Sequence, residues 1–197
     1  GDSNSVAVAT DYTIFTWGTS SGGQLGDNTT ITKSSPTQIT SNTLSISQLS
    51  AGSAHTAYIT TTGLIYTVGN NPSGQLGIND VINRSSPVQI FAGTMTSPLI
   101  PLRLDSVKTS SFTQVQNGQA ATALALDATL FTWGTGTTGQ LGTQSTIAVS
   151  SPVLVGGQSQ LYNASPLQIG SSWNLVAAGY SHVIATDTTN KLYAWGN

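Results

Sequence analysis

Trp17–Ile39 reads WGTSSGGQLGDNTTITKSSPTQI, and the chain writes nearly the same phrase twice more. VGNNPSGQLGINDVINRSSPVQI occupies Val68–Ile90, and WGTGTTGQLGTQSTIAVSSPVLV occupies Trp133–Val155. Three landmarks align without gaps: Gly18, Gly69 and Gly134; Gln24, Gln75 and Gln140; Pro36, Pro87 and Pro152. Each copy keeps Gly-x4-Gly-Gln-Leu-Gly followed by a proline ten positions on, while the step between copies is 51 residues (18 to 69) and then 65 (69 to 134). Constant spacing inside a unit and variable spacing between units is the mark of a repeat architecture with insertions in its connections.

Composition narrows the class. The chain has 197 residues, of which 38% are hydrophobic and only 6% charged, against roughly 25% charged in an average soluble domain. Five Lys and Arg balance seven Asp, for a formal net charge of −2. Nucleic-acid binding needs clustered basic residues, which are missing, so no nucleic-acid partner is expected. Cysteine is absent, excluding disulfides and thiolate metal sites. No run approaches the ~18 apolar residues of a membrane helix, so no membrane insertion is expected. Surface polarity must come from Ser, Thr, Asn and Gln.

Between landmarks the signals are strands and turns. HTAYITTTGLIYTVG (His55–Gly69) alternates, breaks at Thr-Thr-Gly and alternates again, the pattern of a hairpin. SVAVATDYTIFTWG and HVIATDTTNKLYAWG repeat the layout with Asp, Thr or Asn at the turn. SSPVQI reads as a short strand entered through a proline. No window carries helical periodicity. The fold class is all-β. Each unit supplies three or four short strands, and such a sheet must bury its faces on neighbours. Radial stacking of four-stranded antiparallel sheets, a β-propeller, satisfies that need.

In this reading the recurring residues are architectural. Gly18, Gly23 and Gly26, with Gly69, Gly74, Gly77 and Gly134, Gly139, Gly142, allow tight turns. Leu25, Leu76 and Leu141 are buried between blades. Gln24, Gln75 and Gln140 satisfy the turn's main-chain groups. Trp17, Trp133 and Trp195 belong to the core or to blade interfaces, and Trp173 reads as blade packing. His55 and His182 share one repeat position and are expected to bond within their own blades. Gly-x4-Gly-Gln has a phosphate loop's glycine spacing but lacks its Lys-Ser/Thr. No metal, cofactor or catalytic residue is expected.

GSAHTAYITTTGLIYTVGNNPSGQLG and GYSHVIATDTTNKLYAWGN resemble the regulator of chromosome condensation repeat, whose pattern is Gly-x-x-His, a hairpin, Trp-Gly-x-Asn-x-x-Gly-Gln-Leu-Gly and a later Pro. The resemblance covers nearly the whole chain apart from two insertions, 91–105 and 156–172. It implies a seven-bladed propeller, of which residues 1–197 hold about three and a half blades. The units run approximately 1–51, 52–117, 118–178 and an incomplete 179–197, so the chain reads as an excerpt of a longer array. Four departures stand out: Val68 for Trp, Ala121 for His, Asn4 for His, and Asn missing at Thr19 and Thr135.

Propeller function usually lies in loops on the scaffold. The insertions supply candidate contacts: Phe91, Met95, Leu99, Ile100, Leu102 and Arg103 in the first, Tyr162 in the second. The expected function is a non-enzymatic protein-interaction or assembly module, with other proteins, copies of itself or virion proteins as partners. Low charge and abundant hydroxyls resemble phage-virion and bacterial extracellular members of the family, so a virion or cell-surface location is expected. The resemblance also implies two alternatives: guanine-nucleotide exchange with chromatin binding, or carbohydrate binding.

Overall fold

A computed structural model describes residues 1–39, 45–90, 112–126, 128–155 and 173–197. Both insertions, and with them Phe91, Met95, Leu99, Ile100, Leu102, Arg103 and Tyr162, lie outside the described residues. Among the described residues there are fourteen strands and no helix, so no helix is long and apolar enough to cross a membrane.

The strands form four antiparallel sheets in chain order. The first holds β1 (Asn4–Val8), β2 (Ile14–Gly18) and β3 (Lys33–Gln38). The second holds β4 (Ile46–Ala51), β5 (His55–Thr60), β6 (Ile65–Gly69) and β7 (Arg84–Gln89). The third holds β8 (Phe112–Asn117), β9 (Ala120–Ala125), β10 (Leu130–Gly134) and β11 (Val149–Leu154), and the fourth β12 (Trp173–Ala178), β13 (His182–Asp187) and β14 (Leu192–Gly196). Each sheet is a meander. The second therefore takes β4 from before Gly52, one strand upstream of the Gly-x-x-His landmark.

Contacts between sheets gather on the early strands. β4 packs on β8, β8 on β12, and β1, β5 and β9 join them. The early strands converge on an axis and the late ones splay outward, as in a propeller. Burial follows the same geometry. β5, β9 and β10 are buried at every position, whereas β1 and β13 alternate between buried and exposed residues. A sheet packed on both faces loses its polar face, as the second and third sheets do here between their neighbours. On β13 the exposed face shows His182 and Ile184 while Val183 and Ala185 are buried.

Strand register corrects one alignment. Gly18, Gly69, Gly134 and Gly196 pair with Asn4, His55, Ala120 and His182. The residue standing for histidine in the third sheet is thus Ala120, not Ala121. The cause is a shorter turn: Gly52 N–H donates to the His55 carbonyl three residues on, but Gly118 N–H donates to Ala120 only two residues on. Counting three from Gly118 overshoots. Counted on Trp-Gly-x-Asn, the family's asparagine falls at Ser20, Asn71 and Gly136, one residue after Thr19 and Thr135 in the first and third copies. Asn71 Oδ1 accepts from Leu76 N–H at 2.8 Å, and its Nδ2 donates to the Asp80 carbonyl at 2.9 Å.

Val68 in place of tryptophan is compensated within its own hairpin. Trp133 Nε1 donates to the Gln75 carbonyl (2.8 Å) and Trp195 Nε1 to the Gln140 carbonyl (3.0 Å), each reaching the turn of the preceding sheet. Val68 has no donor, and the Thr56 hydroxyl donates to the Gln24 carbonyl instead, at 3.0 Å. The lost indole volume is refilled by Tyr58, which is fully buried. By register the other sheets place alanine at that position, Ala7, Ala123 and Ala185. Tyr58→Ala should cost about 3–5 kcal/mol in urea unfolding, and Val68→Trp should cost about 1–3 kcal/mol by overpacking. The double variant should cost clearly less than the sum, because alanine opens the space that the indole needs. Strict additivity would show that the two residues do not share one volume.

Candidate functional site

The Gly-Gln-Leu-Gly turns are built from the backbone outward. Gly23, Gly74 and Gly139 have φ of +83°, +77° and +76°, a region costing other residues about 1–2 kcal/mol. Two hydrogen bonds per turn, such as Gly23 N–H to the Ser20 carbonyl (2.8 Å) and Gly26 N–H to the Gly23 carbonyl (3.0 Å), close it. The glutamine folds back on its own turn. Gln24 Oε1 accepts from Gly22 N–H, Gln75 Oε1 from Ser73 N–H and Gln140 Oε1 from Thr138 N–H, at 2.8–2.9 Å. Leu25, Leu76 and Leu141 are fully buried.

These turns lock onto the next sheet. A Cβ on Gly23 would meet Ser85 Cα at 2.6 Å, and one on Gly74 would meet Ser150 Cα at 2.3 Å. Five residues downstream, Asn28 and Asn79 donate their N–H groups to the carbonyls of the same serines, at 2.8 and 2.7 Å. The following serines, Ser86 and Ser151, donate to the side-chain oxygens of Asn28 and Asn79, at 3.0 Å. The Ser-Ser-Pro phrase is therefore the receiving half of a joint whose other half is the preceding glycine turn.

A second joint lies nearer the axis, and it involves residues that repeat spacing did not single out. Gln48 Oε1 on β4 accepts from Val115 N–H of β8 at 2.7 Å. Gln114 on β8 repeats this with Val176 N–H of β12 (3.1 Å) and donates to the Asn174 carbonyl (3.2 Å). The signal in the sequence is faint: Ile-Ser-Gln-Leu at 46–49 and Phe-Thr-Gln-Val at 112–115, with Leu175 at the matching place on β12.

The two histidines share a register but not an environment. His55 faces the third sheet and is 2% exposed, whereas His182 on β13 is exposed. Glycine three residues earlier makes room for each ring: a Cβ on Gly52 would meet His55 Cε1 at 2.6 Å, and one on Gly179 the His182 ring at 2.4 Å. Burial pushes the His55 pKa down to about 4, with the neighbouring Asn117 side chain opposing the shift. Among the described residues no group of three or more His, Cys, Asp or Glu stands close enough to hold a metal ion. Asp187 serves its hairpin turn. Its carboxylate accepts from Thr189 Oγ1 (2.6 Å), the N–H groups of Thr189 and Lys191, and the Tyr193 hydroxyl (3.2 Å). Those bonds, Thr189 Oγ1 foremost, hold its pKa at about 2 against the opposing effect of burial.

A polar cleft of 330 Å³ opens between the second and third sheets beside His55, Ser73, Gln119 and Thr135, and no charged side chain lines it. At the first junction the matching space is filled, because the Asn70 side chain packs over Gly22. Ser73 and Thr135 stand at the corresponding places of the second junction.

Models of the regulator of chromosome condensation (RCC1) repeat match residues 13–59, 62–124 and 127–186, and a second model of that repeat matches 46–75. The chain belongs to the RCC1 repeat family. It is 25% identical to the ultraviolet-B receptor UVR8 of Arabidopsis thaliana across the whole chain and 51% of the receptor. It is 29% identical to the probable E3 ubiquitin-protein ligase HERC3 of Homo sapiens across the whole chain and 17% of the ligase. The chain thus spans about half or less of these relatives. The RCC1 propeller fold is shared with human WBSCR16, with a TM-score of 0.76 at 22% identity, over all of this chain and 45% of that one. Prp20p of Saccharomyces cerevisiae, studied for its binding to Gsp1p and histones, gives 0.74 at 17% identity over all of this chain and 44% of that one.

Two outcomes follow for the joints. Gly74→Ala should lower stability by about 3 kcal/mol, through backbone strain plus the contact with Ser150; an unchanged urea midpoint would show that the turn does not bear on the next sheet. His55 is neutral when folded, with its pKa depressed to about 4 from about 6.5 in an unfolded chain. Its contribution is complete above about pH 6.5 and is lost as the pH falls toward 4, about 3 kcal/mol in all. Urea unfolding across that range should show the loss, and His55→Asn should flatten it.

Proposed function

We propose that this RCC1-repeat chain is a protein-binding module that performs no chemistry itself: a stiff scaffold presenting rim loops to another protein. The supporting observation is the destination of the recurring residues. The glycines, serines and tryptophans of the repeat serve joints between sheets and its glutamines brace the turns that make them, which leaves the loops between joints to face a partner. Prp20p, of the same fold, was studied for its binding of other proteins, Gsp1p and histones. The propeller is read as seven-bladed, as the family resemblance implies.

A finer reading assigns the chain to a virion or to the outer surface of a cell. Its support is composition: 6% charged residues and a surface polar through hydroxyls and amides. Guanine-nucleotide exchange finds less support, because the few charges are scattered or paired in place, as in Lys33 with Asp27 at 3.5 Å. Cross-linking in the native source, followed by mass spectrometry, should join this chain to a protein partner through loop residues, and antibody labelling should mark intact particles or unbroken cells. In a nucleotide-release assay the chain should leave the rate for small GTPases unchanged. Accelerated release, or cross-links to the chain alone, would overturn the proposal.

A further inference from the structure

The loops joining the glycine turn to the Ser-Ser-Pro strand carry a feature that the joints do not use. Ile31, Ile82 and Ile147 each lie five residues before their unit's proline. Their exposures are 62%, 62% and 71%, on three successive sheets. One exposed apolar side chain needs no explanation. Three at one register are different, because each is held in place by the same device. Ile31 N–H donates to Thr29 Oγ1 (3.3 Å), Ile82 N–H to Asp80 Oδ1 (2.9 Å) and Ile147 N–H to Ser145 Oγ (3.1 Å), always two residues back.

The loop beneath is pinned as well. Ser20 Oγ donates to the Thr29 carbonyl (3.3 Å) and Asn71 Nδ2 to the Asp80 carbonyl (2.9 Å). In the third copy Gly136 lets the Ile147 carbonyl approach so closely that a Cβ would sit 2.4 Å from it. The backbone is thus fastened down on its own sheet with the isoleucine turned outward each time, in three different sets of side chains.

The surroundings indicate what such a row accepts. In the first two copies the neighbouring charges cancel, Asp27 against Lys33 and Asp80 against Arg84. The third copy has no charged residue from 138 to 150. A surface without net charge offers a charged partner nothing in return for desolvation, and favours an apolar, uncharged one.

We propose that Ile31, Ile82 and Ile147 form an apolar track across three blades that docks an extended, uncharged protein segment bearing spaced apolar side chains. This rests on the protein-binding reading and names its surface. The test is selection of displayed random peptides on the 197-residue chain, with I31S, I82S and I147S singly and combined. Enriched peptides should be apolar and poor in charge. Each single variant should weaken them about fivefold and the triple variant about a hundredfold, since one buried methylene-rich contact is lost per blade. Exposed side chains leave the fold intact, so the urea midpoint of the triple variant should match that of the wild type. Peptides that bind the triple variant equally well would overturn the track while leaving the protein-binding reading standing. No enrichment on the wild type would overturn the track. Sedimentation showing dimerisation that the triple variant loses would replace the segment by a second copy of the chain, and overturn the proposal as stated.

Discussion

The joints of this molecule depend on one close approach: the glycine turns of the first and second sheets lie against the Ser-Ser-Pro strands of the second and third, at a distance that excludes a side chain. A single sheet must bury its apolar face against another element, so neighbours supply the missing surface, and backbone-to-backbone contact is the tightest way to set their angle. Hydrogen bonds then fix the contact, from Asn28 and Asn79 to the two serine carbonyls. Nearer the axis the amides of Gln48 and Gln114 tie one early strand to the next. The junction of the second and third sheets is thus held along its radius at two depths, which is what a loop-presenting scaffold requires.

Such a joint also explains why so little charge suffices. The polar contacts named across the junctions join neutral groups, whether backbone, amide, hydroxyl or indole. Neutral donors and acceptors carry a smaller desolvation cost than ions, so they are the cheaper way to line a buried seam. His55 fits the same rule. It is neutral, enclosed and set over a glycine.

The all-β class, the repeat and the hairpins were legible in the sequence because each has a local cause: alternation, turn residues and fixed glycine spacing. Partnership between units was much less legible. The glutamine turn announced itself, since Gln24 answers a need within its own five residues. Gln48 did not, since its partner Val115 is 67 residues away and the third copy of the motif reads leucine. The histidine register is misplaced in the third copy when counted forward from the glycine. A turn shortened by one residue at Gly118 shifts that count, while the strand pairing shows Ala120 directly. The candidate contacts in the two insertions lie outside the described residues, while the isoleucines of the shorter loops emerged only once exposure could be seen on adjacent sheets.

The second sheet's exchange of tryptophan for valine has an evolutionary corollary. Thr56, Tyr58 and Val68 all sit in the one hairpin, 55–69, and each makes good what another lacks. Moved together to a sister repeat they would arrive with their own solution to the seam. Moved singly, the tyrosine would collide with an indole already in residence. The hairpin, not the strand and not the whole unit, is thus the smallest cassette that duplication or grafting could shuffle around this wheel.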